Sequence, residues 1–269
     1  MRRLRRFAIV SAAIAGAYAL FCALVRPSNE RDWAADQSVL PFAEFHGPLV
    51  TIHNVRNFRY ETVDRYTPAW YDRTYDLRQL ESAWFVVEPF GDFGGAAHTF
   101  VSFGFSNGDY VAISIEIRKE KGEEFSAVKG LLRRYEVMYV IGDERDLIRL
   151  RTNYRKDTVY LYPMRTTPER RRALLVDMLR RANDLRVHPE FYNSLTNTCT
   201  TNLVRHVNRI VPGRIPLRPG VLLPGYSDRL AYDLGLIDTS LPFEETRKRF
   251  RINERAAGEE EGFSGRIRS

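Results

Sequence analysis

The chain has 269 residues, of which 44% are hydrophobic and 28% charged, with a formal net charge of +7. That length suits one domain, with or without tails, and can bury a sizeable core. Aromatic residues make up 12%, which excludes disorder along the whole chain; two cysteines exclude a disulfide scaffold; 13 prolines and 17 glycines exclude a collagen-like or low-complexity class. The charge is unevenly placed. Arg2, Arg3, Arg5, Arg6 and Arg26 lie in the first 26 residues, which hold no acid, and this leaves +2 for residues 27–269. No nucleic-acid partner is expected; an anionic membrane surface remains open as one.

Residues 1–6 read as a basic cytoplasmic segment and 7–25 as a transmembrane anchor. Phe7 to Val25 runs without a charge. As a helix it rises roughly 28 Å, close to the thickness of a bilayer's hydrocarbon core. The arginines before it keep the N-terminus in the cytoplasm by the positive-inside bias, so the rest is exported. The expected location is the bacterial inner membrane, single-pass, with the domain in the periplasm. A cleaved signal peptide and a buried core helix are the competing readings. No small-x-small site closes the segment, and Phe21 stands before Cys22 where a lipoprotein signal has a small residue.

Residues 26–47 read as an irregular connector, 48–243 as the exported domain, and 244–269 as a mostly disordered tail. Leu49–Tyr60 reads as a strand, Tyr66–Tyr75 as a loop wrapping the core, Asp76–Ser82 as a short helix and Ala83–Glu88 as a buried strand. His98–Phe105 and Tyr110–Arg118 are β-rich runs joined through Asn107-Gly108, a strong hairpin signal. Further strands are expected at Tyr135–Ile141, Leu147–Arg151 and Thr158–Tyr162. Thr167-Pro168 starts a helix. Leu174, Leu175, Met178, Leu179, Ala182 and Leu185 form its apolar face, and arginines 170, 171, 172, 180 and 181 its solvated one. Helices are also expected at about Cys199–Val211, ending at Pro212-Gly213, and at Ser227–Leu234.

Walker, His-Glu-x-x-His and Cys-x-x-Cys patterns are absent. Gly104-Phe-Ser106-Asn-Gly108 fits the serine-hydrolase elbow, but a strand follows where the elbow needs a helix.

Cys199 is the informative residue. It is the only thiol of the exported domain, so it has no intrachain disulfide partner there, in a compartment where paired cysteines are normal. It stands where a helix is expected to begin. The positive end of the helix dipole and the free N–H groups there favour thiolate and can hold an oxyanion. An inert cysteine acting as a small apolar residue remains the alternative.

A thiol nucleophile needs a base, usually histidine. His46 lies in the connector, His188 at a helix exit and His53 on a strand, while His206 is two helical turns from Cys199. His98 opens the hairpin strand after a glycine-rich loop, where a side chain can face a cleft. Ser114, Glu116 and Arg118 project to one side of the facing strand. A register close to the Asn-Gly turn brings His98 level with residues 116–118, so Glu116 can orient the imidazole; alternatively Glu116 pairs with Arg118 or a nearby lysine.

Several blocks then point to one family. Asn54-Val-Arg56-Asn57-Phe-Arg-Tyr60, Ala97-His98-Thr-Phe-Val-Ser-Phe-Gly-Phe, Ser114-Ile-Glu116-Ile-Arg118, Tyr135-Glu-Val-Met-Tyr-Val, Asp143-Glu144-Arg145-Asp146 and Phe191-Tyr192-Asn193-Ser-Leu-Thr-Asn197-Thr-Cys199 resemble the DUF4105 family, that of the Lnb N-terminal periplasmic domain. The resemblance covers roughly residues 30–235. It implies an α+β fold in which an antiparallel sheet packs against helices, similar to circularly permuted papain-like (NlpC/P60-like) thiol enzymes. In these His precedes Cys in the chain, as His98 precedes Cys199. Lnb enzymes move an acyl chain within a lipoprotein, from the diacylglyceryl group to the N-terminal amine. By resemblance, Cys199 accepts the acyl group and His98 is its base. Thr198 departs from the pattern, since relatives often carry Asn there, and no second membrane helix follows in the sequence.

The expected function is a membrane-anchored periplasmic thiol acyltransferase or hydrolase acting on acyl-lipid or lipoprotein substrates. Cys199 is the nucleophile, His98 the base and Glu116 its orienting acid, with Asn197 helping at the oxyanion; no metal or cofactor is expected. A cell-wall peptidase or amidase, and a non-catalytic envelope scaffold, are the alternatives. An apolar groove beside Cys199 favours the first, a narrow polar groove the second, and a buried Cys199 or distant His98 the third.

Overall fold

A computed structural model describes residues 2–258 and 260–269. The elements in chain order are α1 (Arg2–Leu24), β1 (Phe42–His46), β2 (Leu49–Arg56), β3 (Arg59–Tyr60), β4 (Tyr66–Thr67), β5 (Trp70–Asp76), β6 (Leu80–Pro89), β7 (Ala97–Phe105) and β8 (Tyr110–Arg118). These are followed by α2 (Ala127–Leu131), β9 (Glu136–Gly142), α3 (Glu144–Arg149), β10 (Tyr160–Pro163), α4 (Pro168–Val187) and α5 (Cys199–Ile210). The chain closes with α6 (Pro219–Leu222), α7 (Ser227–Asp233), α8 (Phe243–Phe250), α9 (Asn253–Ala256) and α10 (Phe263–Arg266).

Among the described residues the main sheet has eight strands, ordered β1-β2-β9-β8-β7-β6-β10, with β5 also paired to β2. Its pairings are antiparallel except β2 with β9. The fold is therefore α+β, with the sheet packed against helices. One face carries Val101, Phe103, Ile113, Ile115 and Tyr139 against α4 and α5. The other carries Val86, Phe100, Ala112, Met138 and Val140 against α3 and the C-terminal helices. The Asn107-Gly108 hairpin forms with Gly108 at φ 84°. All six apolar residues foreseen on α4 are buried.

Four local expectations change. The stretch 66–75 is not a loop: Tyr71, Arg73 and Tyr75 alternate at period two, and β5 pairs along β2, with Pro68 kept before its start. Residues 76–82 hold only a 3-10 turn at Leu77–Gln79 before β6. Leu147–Arg151 is helical, because Asp143 caps α3 by accepting from the Arg145 N–H; α3 then runs into a π-helical turn over Leu150–Arg155. The connector ends in β1 and buries Trp33, over which the Arg118 guanidinium stacks at 4.3 Å.

The tail corrects the sequence reading most. Residues 244–269 are few in apolar groups, but Ile252, Ala256, Phe263 and Ile267 are all buried in the core on the far side of the sheet. The arginines bind buried acids: Arg268 pairs with Glu144 at 2.5 Å and Arg247 with Asp228 at 3.2 Å. Composition misleads here because four well-placed apolar side chains dock a short segment onto an existing core.

At the other end of the chain, α1 forms over the expected stretch. Among the described residues no helix is long and apolar enough to cross a membrane. The single-pass anchor therefore remains an expectation of sequence. Ends of β7 and β8 fix the place of the chemistry. Their ladder closes at Phe100–Ser114; before it β7 pairs only with β6, and beyond it β8 pairs only with β9. The sheet forks there.

Candidate active site

α5 brings its N-terminus to the fork. Thr198 caps it, accepting from the Thr201 N–H while the Thr201 hydroxyl accepts from the Thr198 N–H. This puts Cys199 at the first helical position, 6% exposed, its sulfur 3.8 Å from the Thr200 hydroxyl. Thr200 and Thr99 share a hydroxyl–hydroxyl bond of 3.0 Å that pins the helix start to β7.

His98 projects from the first turn of β7, ring stacked on Phe100 at 5.6 Å. The register of the hairpin carries through the fork. Its Nε2 lies 2.6 Å from the Ser114 hydroxyl and 3.1 Å from Glu116 Oε1, and Ser114 donates to the same Oε1 at 2.6 Å. Nε2–H therefore faces Ser114 and Glu116, and the ring also lies close enough to Cys199 for its charge and hydrogen bond to act on the thiol.

The electrostatics follow from this packing. Burial pushes the Cys199 thiol up. The His98 charge and hydrogen bond, then the N–H and hydroxyl of Thr99, outweigh it and bring the thiol from 9.0 down to about 7. Burial lowers His98, but the Glu116 charge and the Cys199 thiolate with its hydrogen bond raise it from 6.5 to about 10. Burial would raise Glu116; His98 and Arg151 hold it well below the usual carboxylate range. Between about pH 7 and pH 10 the site is thus a thiolate–imidazolium pair leaning on a carboxylate.

Cys199, His98 and Glu116 are brought together; Asn197 points elsewhere. Its amide nitrogen donates to the Phe191 carbonyl at 2.8 Å, and its oxygen accepts from Asn202 and Arg205. It ties the loop before Cys199 to α5, and the donor at the sulfur is the Thr99 N–H instead. Glu116 pairs with neither Arg118 nor a lysine: Arg118 donates to the carbonyls of Gln37 and Ser38.

Its partner is Arg151, a residue the sequence reading had put on a strand. Arg151 is buried, reaching Glu116 at 2.9 Å and Glu88 at 2.6 Å, and Glu88 is the β6 partner of His98. The π-helical turn presents this guanidinium to the sheet, and no spacing rule in the sequence signals such a turn. Thr99 had a signal: its place next to His98.

The other histidines have structural partners. His206 bonds Tyr139 and Asp177 at 2.6 Å each, and His53 bonds Asp72 at 2.7 Å. His188 is the C-terminal cap of α4, and His46 is exposed on β1. Two of the resemblance blocks are structural as well: Arg56 bonds both oxygens of the buried Asp146 at 2.8 Å, and Asp146 also accepts from the Phe58 N–H.

Next to Thr200, the residue after Cys199, lies an apolar cavity of about 460 Å³. Val101, Leu174, Leu203, Val207, Leu230 and Leu234 line it together with Thr200, whose hydroxyl lies 3.8 Å from the sulfur. That volume falls within the roughly 300–1,000 Å³ of small-molecule sites.

An α+β domain with a thiol at a helix N-terminus, facing an imidazole and a carboxylate at a sheet fork, has the makings of a thiol-enzyme site. The model of the Lnb N-terminal periplasmic domain family matches residues 66–224, and the chain belongs to this family. The family is that of a periplasmic domain, which points to a periplasmic location. No curated protein and no solved structure matches the chain.

Proposed function

We propose that the protein is a periplasmic thiol acyltransferase or hydrolase acting on an ester-linked acyl chain of a lipid or lipoprotein. The observation that carries this reading is the placement of the Cys199 thiol at the first position of α5, beside His98 and Thr99, whose charge and hydrogen bonds lower a thiol that burial alone would raise. An inert buried thiol is raised, not lowered. In the first step the Cys199 thiolate attacks the ester carbonyl, and the Thr99 and α5 N–H groups face the developing oxyanion. The C–O bond breaks, His98 gives a ring proton to the leaving alcohol, and the acyl group remains on sulfur as a thioester. An amine or water then attacks the thioester, His98 takes its proton, and the thiolate is restored. Glu116 holds the imidazolium throughout.

The apolar cavity that Thr200 lines supports an acyl substrate over a cell-wall peptide. Burial of Cys199 is the one feature shared with a non-catalytic scaffold. A permuted papain-like relationship fits the chain order of His98 and Cys199. We place the domain at the inner membrane with its N-terminus in the cytoplasm. Support for this comes from the charge-free Phe7–Val25 following four arginines, and from large apolar side chains such as Phe7 and Leu24 exposed on α1.

The full chain incubated with a diacylated lipopeptide and digested should yield a Cys199 peptide carrying one acyl mass. Hydroxylamine should remove that mass, and Cys199→Ser should never acquire it. Cleavage of cell-wall peptides with no acyl adduct would overturn the reading in favour of a peptidase.

A further inference from the structure

The loop between β8 and β9 holds an unusual surface. Phe125, Val128, Leu131 and Leu132 are between 37% and 64% exposed within eight residues. Lys129 lies among them and Arg133 and Arg134 follow; residues 125–134 contain no acid, and Glu123 before them pairs with Arg134 at 3.4 Å. Large apolar side chains left in water together with basic ones are the composition of a segment that lies in a bilayer interface. Anionic headgroups complement the charge.

Its place in the fold names what covers it. β8 ends and β9 begins at the end of the sheet where the fork opens, so this loop belongs to the end of the domain that carries the site. α2 is fixed to the loop leading into Cys199: Ser194 donates to the Ala127 carbonyl at 2.7 Å, and a Cβ at Gly130 would stand 2.3 Å from the Ser194 hydroxyl oxygen. The base of α1 meets the same segment, with Arg133 donating to the Cys22 carbonyl at 2.9 Å. Leu20 and Leu24, near that base, are 61% and 73% exposed.

We infer that residues 125–134 are a membrane-docking element that seats the fork of β7 and β8 on an anionic lipid surface, alongside the base of α1. The inference rests on the acyl-transfer reading only for what the seating serves. Phe125, Val128 and Leu132 enter the interface while Lys129 and the exposed Arg134 meet the headgroups, and Arg133 holds the segment to the base of α1. The mouth of the site is thereby held at the depth where ester carbonyls of lipids lie.

The test uses the full chain in vesicles of phosphatidylethanolamine and phosphatidylglycerol, with Cys22→Ala and Cys199→Ser removing the native thiols. An environment-sensitive NBD probe is attached through Val128→Cys or, in a second variant, Phe125→Cys. The expected result is a blue shift of NBD emission and quenching by lipids spin-labelled near the headgroup. Emission unchanged from water overturns the inference. So does a blue shift without quenching by spin-labelled lipid, which would mean that a protein covers the patch. Because Cys199 is absent, either outcome leaves the acyl-transfer reading standing. As an independent measurement, Val128→Glu with Leu132→Glu should cut acylation from vesicle-embedded substrate at least tenfold. The alkylation rate of Cys199 by iodoacetamide should not change.

Discussion

Glu116→Gln removes the charge behind His98 and keeps the shape. The carboxylate oxygen lies 3.1 Å from His98 Nε2. At an effective dielectric of ~20, two unit charges at that distance interact by about 5 kcal/mol. The rise of His98 from 6.5 to about 10 is also about 5 kcal/mol at 1.36 kcal/mol per pH unit. The carboxylate is thus of the size needed, and because burial opposes the rise, the thiolate and the two hydrogen bonds must add to it. Wild-type activity should climb through about pH 7 as the thiolate forms and fall through about pH 10 as the imidazolium loses its proton. In Glu116→Gln the alkaline limb should move down by roughly 2–3 pH units, because the carboxylate charge beside His98 is lost while Arg151 stays in place with Glu88 as its counter-charge. The acid limb should move up, since the thiol loses a permanently charged partner. The assay is turnover of the diacylated lipopeptide from pH 5 to 11 in a Cys22→Ser background, with thiolate absorbance as a second probe of the acid limb. Limbs within half a unit of wild type would refute the account of the triad.

His98→Ala should lower turnover by about 10²–10⁴-fold, the usual worth of a general acid–base, with an unchanged circular dichroism spectrum; equal turnover would remove His98 from the mechanism. Phe263→Ala should cost about 3–5 kcal/mol, because Phe263 is buried in the core beneath the sheet, and denaturant unfolding measures it; no loss would mean that the tail does not dock. Asp146→Asn leaves the buried Arg56 without its counter-charge and should cost about 3–5 kcal/mol, read from the same transition, while the pH limits of Cys199 alkylation stay in place.

The hairpin, α4 and α5 were legible because their signals are local. Asn107-Gly108 turns the chain whatever surrounds it, the 3.6-residue spacing from Leu174 to Leu185 selects a buried face, and Thr198 begins a helix from its own side chain. The meeting of His98 with Glu116 was legible for the same reason, since the turn sets the register of β7 against β8. A solitary thiol at a helix start could be picked out by elimination. What brings that thiol to the imidazole is not local. Cys199 packs with one face of the sheet while Phe100, next on the His98 side of β7, packs with the other, and only the parting of β7 from β8 lets the two chemistries meet.

Three further features were decided by tertiary structure alone. Arg151 reaches Glu116 through a π-helical turn, whose cost is met by two carboxylates far away in sequence, the buried Glu88 and the half-buried Glu116. The tail from residue 244 lacks the apolar density to fold by itself, and its described helices dock through Ile252, Ala256, Phe263 and Ile267 on a core that other segments build. Asn197, beside Cys199 in sequence, turns to Phe191 and Arg205 because the helix cap fixes which way the preceding residue faces. Sequence determined which residues were able to react; the packing of distant segments determined which of them share one cleft, because burial and charge act through space and not along the chain.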